Sequence, residues 1–151
     1  MSYALALQRL AQLSVAGVLH NYTPADLPVP LSPALLPCLL TTPLDLNQRS
    51  LFREGAQGFI AHAFSGGLHR VEAQALHVLV VAPRWHGTSE REHLGRLASL
   101  MDAYLSALKA DVRLGGALAQ PAHVQIEPQL LTLGGLEYVA CAFRHRWVLE
   151  V

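Results

Sequence analysis

Charge is scarce in this chain: Asp, Glu, Lys and Arg make up 15% of its 151 residues, and eleven basic side chains balance eleven acidic ones. Zero net charge argues against a broad nucleic-acid footprint, which neutralises many phosphates with lysine and arginine. Local basic patches stay open. Cysteine is nearly absent as well. Cys38 and Cys141 stand far apart with no CxxC spacing, so neither a zinc knuckle nor a redox pair is indicated, and both read as small buried hydrophobes. No run of about 18 uninterrupted apolar residues occurs, which argues against a membrane-spanning helix. The stretch "MSYALALQRLAQL" has no basic region ahead of an apolar run and is interrupted by Gln8, Arg9 and Gln12, so it does not read as a signal peptide. Folding in a cytoplasm is the expectation.

The usual catalytic and nucleotide-binding patterns are missing too. GxSxG is absent, and "FSGGLH" places its serine before two glycines that a hairpin turn explains more simply. GxxxxGK[ST] and GxGxxG, which cradle phosphates, are absent. Glu90 and Glu92 suit a helix N-terminus better than an acid–base pair. Eight histidines invite a metal hypothesis, yet no HxH, HxxH or HExxH occurs. Only His62, His69 and His77 fall on neighbouring predicted strands, as a three-histidine site would need. No catalytic residue, cofactor site or metal site is assigned, and the chain is not read as an enzyme.

What is present is apolar material, 52% of the chain, enough for one core in a chain of ordinary single-domain length. Residues 1–151 are read as one domain. Residues 3–14 predict an amphipathic helix closed by Gly17. "VLHNY" predicts a short strand. Six prolines fall between Pro24 and Pro43, and "TPADLPVPLSP" cannot form a helix or central strand, because proline lacks an amide donor and holds φ near −65°. The expectation is a stiff extended connector over about 23–37, leading into a strand in "LLPCLLTTP" with Pro37 at its start or edge.

A Gly66-Gly67 turn then precedes "LHRVEAQALHVLVVAP", whose first half is polar on one face and whose second half is apolar on both. That strand enters the sheet interior as it proceeds. Ser89 and Glu92 have the spacing of a capping box for a helix over about 90–111. Its apolar face is read as Leu94, Leu97, Ala98, Met101, Tyr104, Leu105 and Leu108, and "RLGG" is expected to close it. A strand, a Gly134-Gly135 turn and a final strand follow. In the last strand Val139, Cys141, Phe143, His145, Trp147, Leu149 and Val151 share one face; Arg144, Arg146 and Glu150 share the other, where Arg49, Arg53 and Arg70 have the chemistry to join the two arginines. The predicted class is α+β: an antiparallel, mixed sheet with two main helices packed on one face and a proline-rich extended arm.

The order of elements, with "VAGVLHNYTPADL" entering a proline-rich loop, "LPCLL" after it, the long helix in "REHLGRLASLMDAYLSALKADVRLGG" and the closing "LEYVACAFRHRWVLEV", resembles the tail-terminator and tail-completion (neck) proteins of long-tailed bacteriophages. One departure is that the middle strand carries "HVLVVAP" where the family often has an aromatic-rich pattern. The resemblance implies a structural virion subunit. It would form a homo-oligomeric ring, commonly a hexamer, at the head-proximal end of the tail tube, meeting the tube protein below and the head–tail connector protein above. It would be assembled in the host bacterial cytoplasm, with DNA passing only through the lumen and no membrane contact. On that reading Tyr22, Pro24, Leu27, Pro28, Pro30 and Pro33 form an inter-subunit or partner interface, and Arg144 and Arg146 face the lumen or a partner. Removing Pro24–Pro33 is then expected to abolish the ring and leave the subunit folded. The alternatives are a head–tail joining or other minor tail protein, and, in a different class, a small-molecule-binding or metal-binding module with its pocket on the His69–Val81 face.

Overall fold

The computed structural model of the chain describes residues 2–43, 60–63, 69–84 and 91–150, with only the backbone described at 60–63 and 69. Helix α1 (Tyr3–Ala11) is followed by β1 (His20–Tyr22), a short 3-10 turn at Pro33–Leu35, and β2 (Cys38–Thr42). Then come β3 (Ile60–Ala63), β4 (His69–Pro83), α2 (Arg91–Ala110), β5 (His123–Leu133) and β6 (Leu136–Glu150). The sheet order is β1-β2-β4-β6-β5, with β3 paired to the first residues of β4. The β1–β2 pair is parallel and the other pairs are antiparallel. Both helices pack on one face, so the α+β expectation holds. The Gly66-Gly67 turn, Ser89 of the capping box, Arg49 and Arg53 lie outside the described residues.

The two long strands explain where the core sits. On β4 the residues Ala73, Ala75, His77, Leu79 and Val81 turn to the helices, and each antiparallel partner on β6 shares their face: Trp147, His145, Phe143 and Cys141 stand opposite the first four. A bulge between Val80 and Ala82 leaves Val81 unpaired, so Val81 and Ala82 both join the helix-side core. From α1 come Ala6 and Leu10; from α2, Leu97, Leu100, Tyr104 and Leu108. The α2 stripe that reaches the sheet is narrower than the apolar face read from the sequence, and Leu94 and Leu105 stay 55% and 40% exposed. One helical face against a sheet covers roughly a 100° arc, and these two leucines lie beside that arc. Helix α1 also ends earlier than expected, at Ala11, with Gly17 (φ +84°) in the turn beyond it. The glycines of "RLGG" lie past the end of α2, at positive φ in the connector to β5.

The proline-rich connector crosses the second face of the sheet as a strap joining the parallel strands β1 and β2. Leu31 and Leu36 are buried there with Cys38, Leu40, Leu76, Val78, Val80, Tyr138, Ala140 and Ala142, and Tyr22 and Leu27 pack at the margin. Removing Pro24–Pro33 would take Leu31 from this second core and Leu27 from its margin, so the deletion is expected to destabilise the subunit as well as any ring. The strap rests on the β5–β6 hairpin, a two-residue turn with Gly134 and Gly135 at φ +57° and +79°. A Cβ on Gly134 would sit 2.5 Å from Val29 Cγ1, so glycine is needed there both for the turn and for the close approach. Cys38 and Cys141 are both buried, one in each core, as expected of small hydrophobes; burial pushes their thiols up to about 12 and about 11.

Candidate functional site

The strap residues singled out from the sequence divide into two sets. Tyr22, Leu27 and Pro28 are half-buried against the sheet, whereas Pro24, Pro30 and Pro33 are exposed. The strap is fixed at its centre by Tyr138, whose hydroxyl accepts from the Leu31 amide (3.1 Å) and donates to the Leu31 carbonyl (3.3 Å). Near its start, Asp26 accepts from the Thr23 hydroxyl (2.7 Å), and this hydrogen bond holds the Asp26 carboxyl below its ordinary value. Beside the strap, Pro30, Pro33, Pro83 and Leu136 line a groove of about 330 Å³, bordered by an Arg84–Glu137 ion pair at 3.0 Å. Val29 and Leu136, at 56% and 50% exposure, are the large apolar side chains at this end.

Arg144 and Arg146 share a face of β6 but not a role. Arg144 donates through Nε and a terminal nitrogen to the two carboxylate oxygens of Glu127 on β5, both at 3.3 Å, in a half-buried fork. Arg146, two residues on, is exposed. It lines a cavity of about 460 Å³ together with Arg70, Glu72, Gln74 and Gln120. The structure therefore places Arg70 and Arg146 in one cavity wall and ties Arg144, on the same face, to Glu127. Arg70 Nε is shielded from solvent and has no hydrogen-bond partner among the described residues.

A third constellation was missed by sequence reasoning. Under α2, His77, Tyr104 and His145 are each fully buried and joined by short contacts: His77 Nδ1 to the Tyr104 hydroxyl at 2.9 Å, and that hydroxyl to His145 Nε2 at 2.7 Å. Trp147 Nε1 can only donate, and it donates to His145 Nδ1 at 3.4 Å. That fixes the direction of the whole chain. His145 carries its proton on Nε2 and donates to Tyr104, Tyr104 donates to His77 Nδ1, and His77 donates from Nε2 to Asn21 Oδ1 at 3.4 Å. Thr41 donates to the same oxygen at 3.2 Å.

Burial holds both imidazoles neutral: His145 falls to about 3, and His77 falls well below its ordinary value from burial first and its histidine neighbour second. Burial likewise raises the Tyr104 phenol well above its ordinary value. The group acts as a set of neutral hydrogen-bonding struts between the sheet and α2. The only signal in the sequence was that His77, His145 and Tyr104 each stood in an otherwise apolar stripe.

Two alternatives weighed from the sequence gain no support from this geometry. His69 and His77 are eight residues apart on one strand, a span of roughly 26 Å at about 3.3 Å per residue, and His62 is paired beside Arg70. The three histidines cannot share one ion, and no cluster of metal-ligating side chains occurs among the described residues. Over the described part of the His69–Val81 face, α1 and α2 fill that side with core, and the two cavities described above lie on the opposite face. No described helix is long and apolar enough to cross a membrane. Comparison of the chain with known protein families and with curated proteins gave no match.

Proposed function

We propose that this protein is a structural subunit that assembles head to tail into a ring at the head-proximal end of a phage tail tube, ending the tail and offering a surface to the head connector. The observation that carries this reading is a pair of unlike apolar surfaces on opposite sides of the sheet. On the helical side, Leu94 and Leu105 run along the outer flank of α2 and Val112 follows beyond its end, at 55%, 40% and 42% exposure. On the strap side, Val29 and Leu136 stand beside the groove of Pro30, Pro33 and Pro83. A ring needs a heterologous contact in which one patch of a subunit meets a different patch of the next. Proline-rich backbone suits such a contact because it has little conformational freedom to lose on docking.

Light scattering across a wide concentration range, with electron microscopy of the concentrated sample and of the protein mixed with purified tail tubes, tests the reading. A ring-sized species, or rings seated on tube ends, is the expected result. Leu105→Asp should abolish it while leaving the far-ultraviolet circular dichroism unchanged. A monomer at every concentration that also fails to bind tubes would sink the proposal.

A further inference from the structure

On the open half of the sheet's second face, we infer that the cavity between β4, β6 and the loop at Gln120 binds a small organic oxyanion whose body carries a hydroxyl or amine donor. This goes beyond ring assembly and does not depend on it. Two cations converge there, Arg70 from β4 and Arg146 from β6. Among the described residues neither is joined to a carboxylate, although Glu150 stands opposite Arg70 across the strand pair. Arg70 Nε is hidden from solvent and has no partner among the described residues. A buried guanidinium N–H left unbonded is costly, so such a group calls for an acceptor.

The lining sets the chemistry of that acceptor. Guanidinium forks favour the paired oxygens of a carboxylate or phosphate head. Glu72 lies in the same wall, so among the described lining residues two arginines and one glutamate leave a single net positive charge. That matches one anionic head and disfavours a polyanionic strand. The volume, about 460 Å³, exceeds what an inorganic phosphate fills and falls in the range of small-molecule sites. Gln74 and Gln120 add amide donors and acceptors along the wall. The head group is therefore placed on Arg70 and Arg146, and a hydroxyl or amine of the body donates to Glu72.

Calorimetric titration of the full chain with glycerol phosphate, inorganic phosphate and a short oligothymidine, all at constant ionic strength, tests this. Glycerol phosphate is expected to saturate one site more tightly than inorganic phosphate. Arg146→Gln, at an exposed position where folding is not at risk, should weaken it tenfold or more, and Glu72→Gln should erase the advantage over inorganic phosphate. Arg9→Gln on α1 serves as the control and should change nothing. The inference fails if no probe saturates, if Arg146→Gln binds as well as the parent, or if oligothymidine binds more tightly than glycerol phosphate.

Discussion

His145 and Arg146 are neighbours on β6 and turn to opposite faces of the sheet, where polar groups meet opposite fates. On the helix side, two imidazoles and a phenol are removed from water and spend their hydrogen bonds on one another, all in one direction from Trp147 to Asn21. On the other side of the same strands, two guanidiniums stand around a cavity with no carboxylate bound to them among the described residues. A polar group retained in a core is tolerated when its bonding capacity is used up inside the fold. A polar group suited to binding is one whose capacity is left over. By that criterion the histidines are architecture and the arginines are the candidates for contact with something else.

Acid should break the closed side first and with the largest effect. The two histidines titrate near 6.5 when the chain is unfolded but are held neutral in the fold, His145 down to about 3. Their contribution is complete above pH 6.5 and is lost as pH falls from there towards 3, because the unfolded state takes up protons that the folded state refuses. Each histidine contributes a slope of about 1.4 kcal/mol per pH unit. Urea unfolding at pH 6.5 and 4.5 should therefore differ by about 2 kcal/mol from His145 alone, with His77 adding in the same direction. A difference below about 1 kcal/mol would mean that the imidazoles are not sealed from water.

Cutting the chain at its centre comes next. Tyr104→Phe keeps the ring that stacks on Phe143 at 3.6 Å between centroids, but it orphans an acceptor on His77 and a donor on His145. At 1–3 kcal/mol for each buried orphan, the loss should be about 4 kcal/mol in urea unfolding. The covered half of the second face offers the hydrophobic counterpart. Leu31→Ala, at a site 3% exposed beneath the strap, should cost about 3 kcal/mol through lost burial and the cavity left behind. Val148→Ala, half-buried on the open half of that same face, should cost less than about 1 kcal/mol. Equal losses would show that the strap is no more a part of the core than the open half is.

Much of this division was legible in the alternation of the strands. "HRVEAQ" is polar on one side and "ALHVLVV" on neither, and the structure turns that change into the boundary between the open and strap-covered halves. The long helix, the proline break and the Gly134-Gly135 turn were equally plain, because each rests on local chemistry. What could not be read was anything that depends on which face meets what. A proline-rich stretch looks extended whether it projects or lies flat, and only the partners of Leu31 and Leu36 distinguish the two. The apolar stripe of α2 looked seven residues broad because periodicity records hydrophobicity and not the width of the groove that receives it. The direction of the hydrogen-bond chain needs three elements in register at once, which no spacing within one of them encodes.

The smallest expected effect sharpens the comparison within a single face. Arg144 and Arg146 alternate with the same period and carry the same charge, so from the strand pattern alone they are equivalent. Glu127 makes them different: it takes both donors of Arg144 in a half-buried fork and leaves Arg146 to the cavity. Arg144→Gln should strand the Glu127 carboxylate and cost about 1 kcal/mol, the upper end for a partly exposed pair. Arg146→Gln should change stability by less than about 0.5 kcal/mol, as expected of a surface position whose charge no described group answers. If Arg146→Gln destabilised the fold as much as Arg144→Gln, the guanidinium would be serving the architecture of the sheet, and the open face would differ from the closed one only in its exposure to water.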